Sequence, residues 1–202
     1  MFKDTLIVAI GTAMSRLTGL LRVVVFGIII GQTALADAFD GANNSPNSIY
    51  ELLVGGLLAA SLVPLFTRFA EDEDDEATNA VFSVSLIVLA IATAAAVAAA
   101  PLIFRLFSLQ VSPLVDPEQF RHVGTVMSRI FLIQIFFYGL TAIASALLNS
   151  RRHFFAAAWS PVLSNVITIT MLLIIPFTRD GTPGLETVLT DHTFFWLFTM
   201  SA

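Results

Sequence analysis

The chain reads as an all-α, polytopic transmembrane helical bundle. Two observations lead there directly. Of its 202 residues 56% are hydrophobic and only 12% charged, where a soluble domain carries about a quarter charged residues. The apolar residues also fall into continuous runs long enough to cross a bilayer, for which about 20 suffice. A third observation excludes the alternative: no series of alternating segments of about ten residues, the mark of a membrane β-barrel, occurs. About five complete spans are expected, plus the start of a sixth.

The first span covers about residues 5–30 and is retained rather than cleaved as a signal peptide, because its apolar stretch is too long and holds two arginines, Arg16 and Arg22. The second, about 36–67, is polar in its first half (DAFDGANNSPNSIYE) and apolar in its second. The third, about 79–107, is rich in alanine. The fourth is about 122–148 and the fifth about 155–177. A sixth begins near Thr193 (about 193–202) and stops after about ten residues, short of the roughly 17–25 that a span needs. We therefore read residues 1–202 as the N-terminal transmembrane lobe of a longer protein. The loops 108–120 and 178–192 hold most of the remaining turn-forming Pro and Gly.

With the N-terminus inside, the cytoplasmic flanks hold Lys3, Arg68, Arg151 and Arg152, and the outer flanks hold Arg105, Arg121 and Arg179. The Arg151-Arg152 pair in a short loop is the best cue to orientation. Net charge is −5, but six of the fifteen acids form the run Glu71–Glu76. That run reads as a solvated loop, and the rest of the chain is balanced, so nothing points to nucleic acid. There is no cysteine, which excludes disulfides, thiol catalysis and Cys-based metal sites. His122, His153 and His192 are not grouped for a metal. No Ser/His/Asp arrangement, paired-carboxylate site or phosphate loop stands out, so nothing argues for an enzyme.

The features that could carry chemistry lie in the first two spans. On insertion scales an arginine at the centre of a span costs roughly 2.5–3.5 kcal/mol. Two of them need a partner, a water-filled cavity or an anionic cargo. Arg16 and Arg22 are separated by about 120° of helical rotation and about 9 Å of rise, so they could reach one cavity at two depths. The planar guanidinium fork suits phosphate oxygens. The competing reading is an internal ion pair with Asp37, Asp40 or Glu51. In the second span, Asp37, Asp40, three asparagines (Asn43, Asn44, Asn47) and Pro46 put polar groups at membrane depth, where they normally face a bundle interior or water. Pro46 removes a backbone hydrogen bond and is expected to bend the helix. A re-entrant or interfacial segment is the alternative. Gly55, Gly56, Ala59, Ala60 and Ser61 suit close helix contact. The 18 phenylalanines read as packing or lipid-facing surface, and Arg129 as a residue that snorkels to the interface.

The runs SRLTGLLR (15–22), ADAF (36–39), PN (46–47) and GGLLAASLVPLF (55–66), followed by ALLNSRRHF (146–154) and SPVLSNV (160–166), resemble in order and spacing the MurJ/MviN family of the MOP exporter superfamily, the lipid II flippases of bacterial peptidoglycan synthesis. The resemblance covers nearly the whole chain. It implies a fold of fourteen transmembrane helices in two lobes around a central cavity, of which this chain supplies most of the N-terminal lobe. It matches Arg16 and Arg22 to the family's cavity arginines, thought to engage the diphosphate of the cargo. It also matches Asp37 to the acid that opens the second helix, and Pro46 and Asn47 to the Pro-Asn pair. Some members carry further basic residues after that pair, where this chain has Ser48, Ile49, Tyr50 and Glu51.

What the resemblance implies is a bacterial cytoplasmic (inner) membrane protein that moves lipid II, the undecaprenyl-diphosphate-linked muropeptide, to the outer leaflet by alternating access. No cofactor is expected; an ion gradient or the membrane potential would drive transport, and the bent second helix would open a portal for the lipid tail. Membrane lipids and proteins of cell-wall synthesis or division are the other expected partners. The alternatives are an exporter of another undecaprenyl-linked oligosaccharide and a non-transporting scaffold for cell-wall enzymes.

Overall fold

The computed structural model describes residues 2–51, 75–149 and 155–202. The apolar half of the second segment, Arg68, most of the acidic run, the Arg151-Arg152 pair and His153 lie outside the described residues, as do the small residues from Gly55 to Ser61. Among the described residues there are nine helices and no strand. They are α1 (Phe2–Ile29), α2 (Ala34–Tyr50), α3 (Asp75–Ala98), α4 (Ala100–Phe107), α5 (Pro117–Phe131), α6 (Gln134–Asn149), α7 (Phe155–Thr178), α8 (Leu185–Thr190) and α9 (His192–Thr199).

Four stretches of the described residues are long and apolar enough to cross a membrane: Ala9–Ile29, Asn79–Ala98, Pro117–Thr141 and Pro161–Thr178. Their surfaces are those of helices in lipid. Leu20 and Val23 are each 63% exposed, Ile28 77% and Phe177 89%, patches that water would penalise. Hydroxyls inside these helices are satisfied locally. Thr93 donates to the Leu89 carbonyl at 2.8 Å, Thr141 to Phe137 at 2.7 Å and Thr170 to Val166 at 2.7 Å, so these three hydroxyls do not face hydrocarbon without a partner.

Two of the expected spans are interrupted. The third breaks at Ala99, because Pro101 has no N–H to continue the ladder and α4 restarts with proline in its first turn. The fourth breaks at Leu132 and Ile133. There the bonds tighten to three-residue spacing, from Ile133 N–H to the Ile130 carbonyl (3.2 Å) and from Phe136 N–H to Ile133 (3.1 Å). The loop 108–120 is shorter than expected. Asp116 Oδ1 accepts from Glu118 N–H at 2.9 Å and starts α5 at Pro117. The loop 178–192 holds α8, and Asp191 caps α9 by accepting from Phe194 N–H at 2.9 Å. α2 runs unbroken through Pro46.

The chain forms two compact units. One comprises Met1–Asp40, Gln110–Gly124 and Phe154–Ala202, the other Gly41–Leu109 and Thr125–His153. In the first, α1 packs chiefly on α7, and α9 on α7 and α8. The facing stripe of α7 is Val162, Asn165, Thr168, Leu172 and Ile175, all buried. On α1 the matching stripe begins with Gly11, Ser15 and Gly19. Small residues at four-residue spacing let helix backbones approach closely in lipid. A cluster of phenylalanines closes one end: Phe39 lies 4.6 Å from Phe198 and 5.1 Å from Phe26, and Phe198 5.1 Å from Phe194, within the range of favourable ring contacts. In the second unit Leu89, Ala100, Leu132 and Ile135 form the core, joined by Ile49, Phe82 and Phe136.

The contacts give α1 and α7 the same direction. Ser15 and Thr18 sit beside Asn165. About two turns further along α1, Phe26 meets Phe198, which stacks on Phe194, and Phe194 lies against Arg179 just past the end of α7.

Candidate anion-binding site

α1 is helical through both arginines because nothing in Phe2–Ile29 breaks it: there is no proline, and leucine, methionine and alanine are good helix formers. It ends where Gly31 takes a left-handed conformation (φ 72°), the usual stop for a helix. Thr33 then caps α2, accepting from Ala36 N–H at 3.3 Å. This tight turn places Asp37 in the first turn of α2, where the helix N-terminus favours a negative charge by about 0.3–1 kcal/mol.

The two arginines differ in setting. Arg22 lies on the α7-facing stripe with Ser15, Thr18, Gly19 and Phe26, and is half-buried; Arg16 is roughly a quarter-turn off that stripe and exposed. Asp37 and Asp40 are exposed as well. Among the described residues, no ion pair or side-chain hydrogen bond joins Arg16 or Arg22 to Asp37 or Asp40. Among the described residues, the two guanidinium groups thus sit on a membrane-length apolar helix without pairing to Asp37 or Asp40. A guanidinium offers five N–H donors, and in a water-poor setting such donors bind an anionic oxygen far more strongly than in bulk water.

Pro46 and Asn47 belong to the second unit. Pro46 is buried and takes the helical donor away from the Ala42 carbonyl; beside it, Ser45 Oγ donates to the Gly41 carbonyl at 2.8 Å. Asn47 is exposed, and its Nδ2 donates back to the Asn43 carbonyl at 3.3 Å. The side chain is thus held along its own helix. No group of three or more metal-ligating side chains occurs among the described residues.

Two residues gain a role that the sequence did not assign. Asn165, only 8% exposed, donates from Nδ2 to the Ser15 carbonyl (3.2 Å) and to Thr18 Oγ1 (3.1 Å). Arg179, counted only as an outer-flank charge, stacks on Phe194. The motif SPVLSNV carried the first as a signal. A lone buried asparagine in an apolar helix demands a partner.

A bundle of lipid-facing helices is a polytopic membrane protein, and the first of its described spans carries Arg16 and Arg22. Residues 26–185 match the family described as Lipid II flippase MurJ, and the chain belongs to that family, one of flippases. Asp37, Pro46, Asn47 and Asn165 fall inside the matched region, and Arg16 and Arg22 precede it. Among individual proteins the chain is similar to the lipid II flippase MurJ of Burkholderia cenocepacia, 31% identical over 171 residues (84% of this chain, 33% of that protein). It is also similar to a probable lipid II flippase MurJ of Rhizobium tropici, 30% identical over 174 residues (84% and 32%), and to one of Treponema pallidum, 26% identical over 179 residues (84% and 32%). The chain spans about a third of the length of these curated relatives.

Proposed function

We propose that this chain forms part of a lipid II flippase of the bacterial cytoplasmic membrane, a transporter and not an enzyme. The observation that carries the reading is the pair Arg16 and Arg22: two guanidinium groups on a membrane-length helix, neither paired with Asp37 or Asp40 among the described residues, in a chain of the MurJ family. The diphosphate of a lipid-linked muropeptide is the anion whose charge and oxygen geometry suit them. Asp37 competes for an arginine when cargo is absent and so helps reset the site. Asn47 is a further cargo-binding residue, and the backbone gap at Pro46 lets the second helix flex to admit the lipid tail. Transport proceeds by alternating access of two lobes about a central site. It is driven by an ion gradient or the membrane potential, without a cofactor. Membrane lipids and proteins of cell-wall synthesis or division are its further partners.

A depletion-rescue experiment tests this. Cells deprived of their own lipid II flippase express the full-length protein, either wild type or Arg16→Ala/Arg22→Ala, with insertion verified by immunoblot and lipid II quantified in each leaflet. Rescue by wild type alone is the expected result. Rescue by both would reduce the arginines to structural charges. Membrane-inserted wild type that binds no lipid II and rescues nothing would favour another lipid-linked oligosaccharide or a scaffold.

A further inference from the structure

Asn165 is nearly buried at the contact of α1 with α7, and one amide nitrogen reaches two acceptors on consecutive turns of α1. The Ser15 carbonyl can only accept, so the atom facing it must be the N–H₂ end of the amide; the hydrogen bonding fixes the orientation of the side chain. Thr18 Oγ1 donates its own proton to the Met14 carbonyl at 2.8 Å, which leaves its lone pairs free for the asparagine. Gly19 completes the seat: a Cβ there would lie 3.6 Å from Asn165 Nδ2.

Apart from Asn165, Thr168 and Arg22 the facing stripes of these helices are apolar or small, and such surfaces slide and rotate with little penalty in lipid, where no hydrophobic force holds helices together. Two directional bonds from one buried group do not tolerate rotation. Ser15 and Thr18 flank Arg16 in sequence, and Arg22 lies one turn beyond Thr18 on the same stripe. We infer that Asn165 is the positioning residue for the arginines: its double hydrogen bond sets the rotation of α1 on α7 and thereby where Arg16 and Arg22 point. The consequence for cargo rests on the flippase reading; the consequence for helix rotation does not.

The test uses the full-length protein in lipid nanodiscs; residues 1–202 hold no cysteine, and any outside them is replaced. A spin label is placed at position 16 or at position 22, and its collision accessibility to oxygen and to a water-soluble nickel chelate is measured. Asn165→Leu keeps the branched shape and the number of side-chain heavy atoms and removes both N–H donors. Thr18→Val removes one acceptor from the other side and serves if the leucine variant does not fold. The expected result is a change of about twofold or more in accessibility at the label positions. Accessibilities unchanged at both positions in the variants would overturn the inference.

In parallel, undecaprenyl diphosphate binding is measured with the arginines intact. Asn165→Leu should weaken it by about fivefold to tenfold, and by less than about twofold in the Arg16→Ala/Arg22→Ala background, since groups acting through one another are not additive. An equal loss in both backgrounds would mean that Asn165 merely supports the fold. Failure of the wild type to bind the diphosphate would count against the flippase reading, and the spin-label result would still decide the positioning role.

Discussion

The guanidinium carbon of Arg179 lies 5.3 Å from the ring centroid of Phe194. This contact ties the end of α7 to the first turn of α9, and Phe194 in turn stacks on Phe198. Nε and Nη1 of Arg179 are buried without a hydrogen-bond partner among the described residues, so the ring face is the principal compensation for that charge. A desolvated cation–π contact is worth about 2 kcal/mol. Phe194→Leu removes the ring and is expected to lower stability by about 2–3 kcal/mol, combining that loss with a small cavity. Arg179→Lys, which keeps the charge but not the planar stacking surface, should cost less. Thermal unfolding of the purified full-length variants in one detergent checks the order.

Packing between α3 and α6 depends on a missing side chain. A Cβ at Gly139 would lie 2.5 Å from both terminal methyl carbons of Leu89 and 3.1 Å from its Cγ, and Leu89 is a member of the second unit's core. Gly139→Ala is therefore expected to destabilise by about 1–3 kcal/mol, the usual penalty for overpacking. Leu89→Ala in the same chain should recover part of that loss. A double-mutant cycle by thermal unfolding measures it; equal losses with and without Leu89 would mean that the two residues do not meet.

Two glycines four residues apart predict opposite outcomes. Gly27 lies inside α1 with open space around its Cα, whereas Gly31 has φ 72°. Gly27→Ala should stabilise α1 by up to about 1 kcal/mol. Gly31→Ala should destabilise the α1–α2 turn by about 1–2 kcal/mol, because an L side chain is strained in that conformation. Melting temperatures of the two variants should move in opposite directions.

Much of this architecture was legible in the residues. Length and apolarity gave the helices, and the composition of the first span singled out Arg16 and Arg22 as needing an explanation. The breaks at Ala99 and at Leu132 were not read. Pro101 was a visible signal for the first. At the second no proline or glycine stands in the sequence, and the change is one of hydrogen-bond spacing alone. The Gly11, Ser15 and Gly19 stripe also passed unread, although Arg22 shares its face. The partner of that stripe is 150 residues away at Asn165, a pairing that only the folded chain discloses. Asp37, expected as a foil for the arginines, has a local reason for its place in the helix N-terminus it occupies.

The arginines make the sharpest functional prediction. Lysine in place of Arg16 or Arg22 keeps the charge but presents a point ammonium in place of a two-pronged donor. Hydrogen bonds to charged groups contribute about 1.5–3 kcal/mol, so loss of one prong should weaken diphosphate binding by roughly tenfold or more. Alanine at both positions should leave only the affinity contributed by the lipid tail. Undecaprenyl diphosphate and uncharged undecaprenol, titrated against the full-length protein in nanodiscs, separate the two contributions. Wild type should strongly prefer the diphosphate, each lysine variant should show a reduced and more salt-sensitive preference, and the double-alanine variant should show almost none. An undiminished preference in the double-alanine protein would place the anion site elsewhere in the bundle.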